Sequence, residues 1–163
     1  MKRSTTAKTF TITALTALAL GIGPTAKAAD RGCSNATLKG TFAYTSTGSI
    51  AAPPEVAGPF VEVGTQSFDG KGATTGAATL SQNGNILPVT LSGTYTVNAD
   101  CTGTMTLQVA PIGVTVDVFF AIDDGGNGFQ AIETNPGLVI TRIARRQFPV
   151  VHRGEDPGDD SKE

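Results

Sequence analysis

Turn-forming residues punctuate this chain at intervals of roughly 8–14 residues, and the runs between them are rich in Val, Ile, Thr, Phe and Tyr. The marks are Thr47-Gly48, Pro53-Pro54, Asp69-Gly70-Lys71-Gly72, Asn83-Gly84-Asn85, Asn98-Ala99-Asp100, Asp123 to Gly128, and Asn135-Pro136-Gly137. Asn-Gly and Asp-Gly steps supply the positive φ values that tight hairpin turns require. Such spacing is that of an antiparallel meander. Side-chain alternation agrees. Val89, Leu91, Tyr95 and Val97 share one parity, and Met105, Leu107 and Val109 alternate with Thr104, Thr106 and Gln108. Val114, Val116, Val118, Phe120 and Ile122 form the cleanest apolar face. Nothing between Gly40 and Arg146 keeps a helical period, although Asn35 to Leu38 suits one short helical turn capped by Ser34.

Eight strands are predicted, at Thr41–Ser49, Phe60–Phe68, Ala73–Gln82, Val89–Asn98, Thr102–Val109, Val114–Ile122, Gly128–Thr134 and Leu138–Arg146. Eight sequential strands with short loops can close on themselves, which removes both exposed edges. The expectation is an all-β, eight-stranded antiparallel up-and-down β-barrel, with a two-sheet β-sandwich as the alternative. Gly-Thr-large triplets at Gly40, Gly93 and Gly103 read as shared strand chemistry rather than a repeat, because their period is irregular.

The two ends read differently. Lys2, Arg3 and Lys8 precede a mostly apolar run from Phe10 to Ile22, and Ala26-Lys27-Ala28 follows. That is the layout of a secretory signal cleaved after Ala28, and the run is too short to span a membrane. Residues 29–148 are then the barrel domain, exported to the periplasm or the medium. From Pro149 to Glu163 the chain is polar and acid-rich, so a disordered tail is expected. The two cysteines, Cys33 and Cys101, both fall in the exported part, where an oxidising compartment favours a disulfide between them. Of the 12 basic residues, Lys2, Arg3, Lys8 and Lys27 fall in the signal with none of the 14 acidic ones, so the remaining chain carries a net charge of −6. That sign argues against nucleic acid as a partner.

The catalytic inventory is thin. The sole histidine, His152, lies in the tail, and no nucleophile elbow, phosphate loop or dinucleotide fingerprint is present. Glu62, Asp117 and Glu133 are the acids well inside predicted strands, and Arg142 is the base. If Glu62 and Glu133 faced the lumen, burial would raise their pKa values and make an acid/base pair, so these two are the catalytic candidates. The simpler expectation puts all three acids on the solvated outer wall. Glu133 does share parity with Phe129 and Ala131, whereas Asp117 opposes the valine face. Asp123 to Gly128 fails the calcium-loop template, because Thr134 stands where its distal Glu belongs. No metal or other cofactor is expected. Asn35-Ala36-Thr37 fits the glycosylation tripeptide and is assigned no role. The ligand-contact candidates are the lumen aromatics Phe42, Tyr44, Tyr95, Phe120 and Phe129.

Several stretches carry a resemblance. Cys33 is followed by Ala36-Thr37-Leu38-Lys39-Gly40-Thr41-Phe42, Gly58-Pro59-Phe60, and Ser67-Phe68-Asp69-Gly70-Lys71-Gly72. Then comes Gly93-Thr94-Tyr95-Thr96-Val97-Asn98-Ala99-Asp100-Cys101-Thr102-Gly103-Thr104. From Cys33 to about Gln147 the chain resembles a group of small secreted bacterial β-barrel proteins, whose best landmark is the Tyr-Thr-Val-Asn-x-Asp-Cys-Thr-Gly-Thr stretch. That layout is similar to calycin-like and allene oxide cyclase-type barrels. The resemblance implies a closed barrel and a Cys33–Cys101 bridge. The lipocalin Gly-x-Trp signature is missing, since the chain has no Trp, and no cyclase active-site residue carries over. The expected function is non-catalytic binding of a small apolar or amphipathic ligand. A cyclase- or isomerase-type enzyme and a structural protein with a filled barrel are the alternatives. A Thr-rich outer face with few charges leaves a homo-oligomer open.

Overall fold

The computed structural model describes residues 32–148; the expected signal, 1–28, and tail, 149–163, lie outside the described residues. Eight strands form one closed antiparallel barrel in sequence order. They are β1 (Gly40–Ile50), β2 (Gly58–Phe68), β3 (Ala73–Gln82), β4 (Asn85–Val97), β5 (Thr102–Ala110), β6 (Val114–Asp123), β7 (Gly128–Glu133) and β8 (Leu138–Arg146). The seam closes where β8 returns to β1, with Phe42 opposite Arg146 through Ile50 opposite Leu138. The sandwich alternative therefore falls away. The main boundary correction is at β4, which starts at Asn85 rather than Val89. Pro88 lies in the added segment. It pairs with Thr79 of β3, while β5 joins β4 only from Thr90 onward, so its missing N–H faces no strand.

Alternation sorts each strand into a lumen face and an outer face, as on β5, where Gly103, Met105, Leu107 and Val109 are buried between exposed neighbours. The glycines flagged by the triplet pattern have separate steric reasons. A Cβ on Gly103 would collide with the Phe120 ring, and one on Gly93 with the Thr106 carbonyl.

The two ends of the barrel differ. At one end Phe42, Phe68, Tyr95, Phe120 and Phe129 pack edge-on or tilted, with neighbouring ring centroids 5.0–5.8 Å apart. A short 3-10 helix, Asn35–Leu38, lies over this plug and drives Leu38 into it with no residual exposure. Several ties hold that cap. Asn35 accepts from the Val97 N–H at 2.8 Å, and the Arg146 guanidinium donates to the carbonyls of Lys39, Thr37 and Gly126. The Cys33–Cys101 disulfide fastens it across a sequence separation of 68. On the chain-entropy account such a loop stabilises by roughly 4 kcal/mol. The opposite end carries the loops at 51–57, 83–84, 111–113 and 134–137; the first holds a short 3-10 turn, Pro54–Val56, that buries no residue, and among the described residues no plug-like cap covers this end.

Candidate functional site

The lumen contains charge, and the strand pattern puts it there. On β2 the residues Phe60, Glu62, Gly64, Gln66 and Phe68 share the inward parity, while Val61 and Val63 point out. On β7 Phe129, Ala131 and Glu133 point in and Ile132 points out; on β8 Ile140, Arg142 and Ala144 point in, with Val139 and Ile143 outside. Glu62 and Glu133 are thus 4% and 8% exposed, which corrects the expectation of a solvated outer wall. β2, β7 and β8 carry valines and isoleucines on their outer face, so hydrophobicity alone does not separate the two faces there. Parity with Phe129 pointed Glu133 inward, and the same parity with Phe60 and Phe68 is the signal that could have located Glu62. Asp117 does lie outside, accepting from Thr106 at 2.7 Å.

Arg142, itself 4% exposed, organises the middle of the lumen. Its Nε donates to Ser46 Oγ at 2.9 Å, one Nη to Gln66 Oε1 at 3.1 Å, and the other to Glu62 Oε2 at 3.3 Å. Ser46 in turn donates to Glu62 at 3.4 Å, and Gln66 donates to Thr74 at 3.1 Å. The guanidinium also stacks over the Tyr44 ring, 4.1 Å from its centroid. Tyr44 shares this charge cluster, but its buried hydroxyl lacks a hydrogen bond of good geometry, and burial raises its pKa. The network covers β1, β2, β3 and β8, so it ties the seam strands to their neighbours across the lumen.

Above this layer, toward the loop-bearing end, lies a cavity of about 300 Å³. Phe60, Leu80, Leu91, Leu107, Val109 and Ile140 form part of its wall, and Ala52, Pro53, Val56, Ile112 and Pro136 belong to the loops at its mouth. Glu62, Glu133 and Arg142 supply its charged groups. Glu133 differs from the other two. Among the described residues it forms neither a hydrogen bond nor an ion pair, and it opens onto the cavity. Burial pushes its pKa up to about 7; Arg142 opposes that rise and Glu62 adds to it.

The aromatic candidates fall elsewhere. Phe42, Tyr95, Phe120 and Phe129 form the plug at the closed end, and Tyr44 sits beneath Arg142; none of the five lines the cavity. Aromatic content alone could not show which half of the barrel each ring fills. The cavity's one aromatic is Phe60, and its polar lining comes from Glu62, Glu133 and Arg142 together with Gln82, Thr115 and Asn135. The Asp123–Gly128 turn is a structural loop, with Asp123 paired to Arg145 at 2.7 Å. Among the described residues no group of three or more His, Cys, Asp or Glu could hold a metal ion. No helix among them is long and apolar enough to cross a membrane.

No family model, curated protein or solved structure matches the chain.

Proposed function

We propose that this protein is an exported barrel that holds one small amphipathic molecule in the open half of its lumen. The carrying observation is the division of that lumen. One half is packed with aromatic rings, and the other is an apolar-walled cavity of about 300 Å³ over a charged floor. That volume is at the small end of the range for ligand sites and suits a molecule of about ten heavy atoms. Export is supported by the Cys33–Cys101 disulfide and by the signal pattern of the first residues. Native mass spectrometry of protein purified from its own source, followed by denaturation, tests the reading. One released small molecule per barrel is the expected result. A barrel that comes through empty overturns retention as its role.

A second reading has support from one observation. Glu133 places a carboxyl that titrates near neutrality in a mostly apolar cavity, as a proton-transferring isomerase or cyclase would need. Incubating the recovered molecule with fresh protein separates the two readings. A mass-neutral change abolished by E133Q favours catalysis, and an unaltered molecule favours carriage.

A further inference from the structure

We propose that the cavity selects a small hydrophobic amine, bound as a monocation with its nitrogen against Glu133 and its apolar body along the upper wall. The inference rests on the binding reading above and names the ligand class. Three geometric facts carry it. First, among the described residues the lumen holds two acids and one base, Glu62, Glu133 and Arg142, all more than nine-tenths buried. Second, Arg142 is already committed. Its charge is matched by Glu62 at 3.3 Å, its other contacts go to Ser46 and Gln66, and its face is covered by Tyr44. Third, Glu133 is the one of the three without a partner, and it faces the space a ligand would fill.

Charge matching follows from that count. A bound monocation brings the lumen to two positive and two negative groups. A carboxylate would instead add a third anion around a guanidinium that already serves Glu62. In a low-dielectric cavity an unmatched charge is costly and a matched one is not. The wall, with Leu80, Leu91, Leu107 and Ile140, takes up the ligand's hydrocarbon and keeps water from the pair.

The groups facing Glu133 set the pH dependence. β8 offers Arg142, β2 offers Glu62 and β1 offers Tyr44, while β6 presents only Val116 and Val118 toward it. An alkylamine keeps its proton to about pH 10, so the pH response of binding reports Glu133. Glu133 must ionise to pair with the cation, and it does so around pH 7.

The test is calorimetric titration of the full-length protein with 1-octylamine, 1-octanol and octanoate, at about pH 5.5 and about pH 8.5. Octylamine is expected to bind about tenfold or more tightly at the higher pH than at the lower, and to be displaced by octanol. Octanol affinity should barely change with pH, and octanoate should be the weakest of the three. E133Q should bind octanol much as the parent does and the amine more weakly than octanol at both pH values, because the cation's charge is then unmatched. Equal binding of amine and alcohol to the unmodified barrel, or octanoate binding tightest, overturns the amine assignment and leaves the binding reading standing. Failure of all three to bind overturns both.

Discussion

Replacing Arg142 with methionine is expected to destabilise the barrel by about 3–5 kcal/mol. Methionine fills much of the same space, so an empty hole is not the main cause. The cost is electrostatic. Glu62, with its side chain 5% exposed, would be left without its counter-charge, and Ser46 and Gln66 would each lose a donor. A buried ion pair is expensive to break from one side, even where replacing both partners costs little. R142M/E62Q is therefore expected to recover most of the loss. Urea unfolding of the parent and both variants near neutral pH checks this. A loss below about 1 kcal/mol for R142M would mean that water reaches the floor and solvates Glu62 as an exposed pair is solvated.

Glu133 is expected to make the barrel less stable as the pH rises. Its carboxyl titrates near 7 in the barrel against an ordinary value of 4.5. Between those values the folded chain keeps a proton that the unfolded chain has released, so stability falls as pH rises through that window. Below about pH 4.5 both states are protonated and the penalty vanishes; above about pH 7 it is fully present and constant. The gap corresponds to about 3 kcal/mol. Glutamine at the position never ionises. E133Q should thus gain about 3 kcal/mol on the parent between about pH 4 and about pH 8. Denaturant midpoints of both proteins at the two pH values measure it. A difference between them that does not change with pH would place the carboxyl in water rather than in a dry cavity.

The barrel itself was legible because turn chemistry and alternation are local. The eight strands follow from the Asn-Gly, Asp-Gly and Pro-Gly marks and from the period-two runs. Their order permits closure, and the β8–β1 pairing that excludes a sandwich is a long-range contact. The early start of β4 was not legible, because the tolerance of Pro88 within it depends on β5 stopping short of it, a fact of register and not of sequence. The site was harder to read. Alternation on β2, β7 and β8 places aliphatic side chains on both faces or on the outer one, so hydrophobicity could not tell in from out. Glu62 and Glu133 qualified as candidates only on the condition that they faced inward. What settles the condition is pairing across strands: β1 opposite β2 and β8 brings Ser46 level with both Glu62 and Arg142. Residues 62 and 142 are eighty positions apart, and no local pattern joins them. The division into a plugged half and an open half was likewise invisible, since it depends on which rings meet across the lumen.

That division is the centre of the account, and methyl NMR tests it most directly. With Leu, Val and Ile methyls labelled, the full-length protein is titrated with 1-octanol, which needs no charge match. The account predicts saturable shifts at Leu80, Leu91, Leu107, Val109 and Ile140 around the cavity. It predicts none at Leu38 beneath the cap, nor at Val63, Val139 and Ile143 on the outer wall. Shifts confined to the outer wall, or no saturable shift at any cavity methyl, would contradict it.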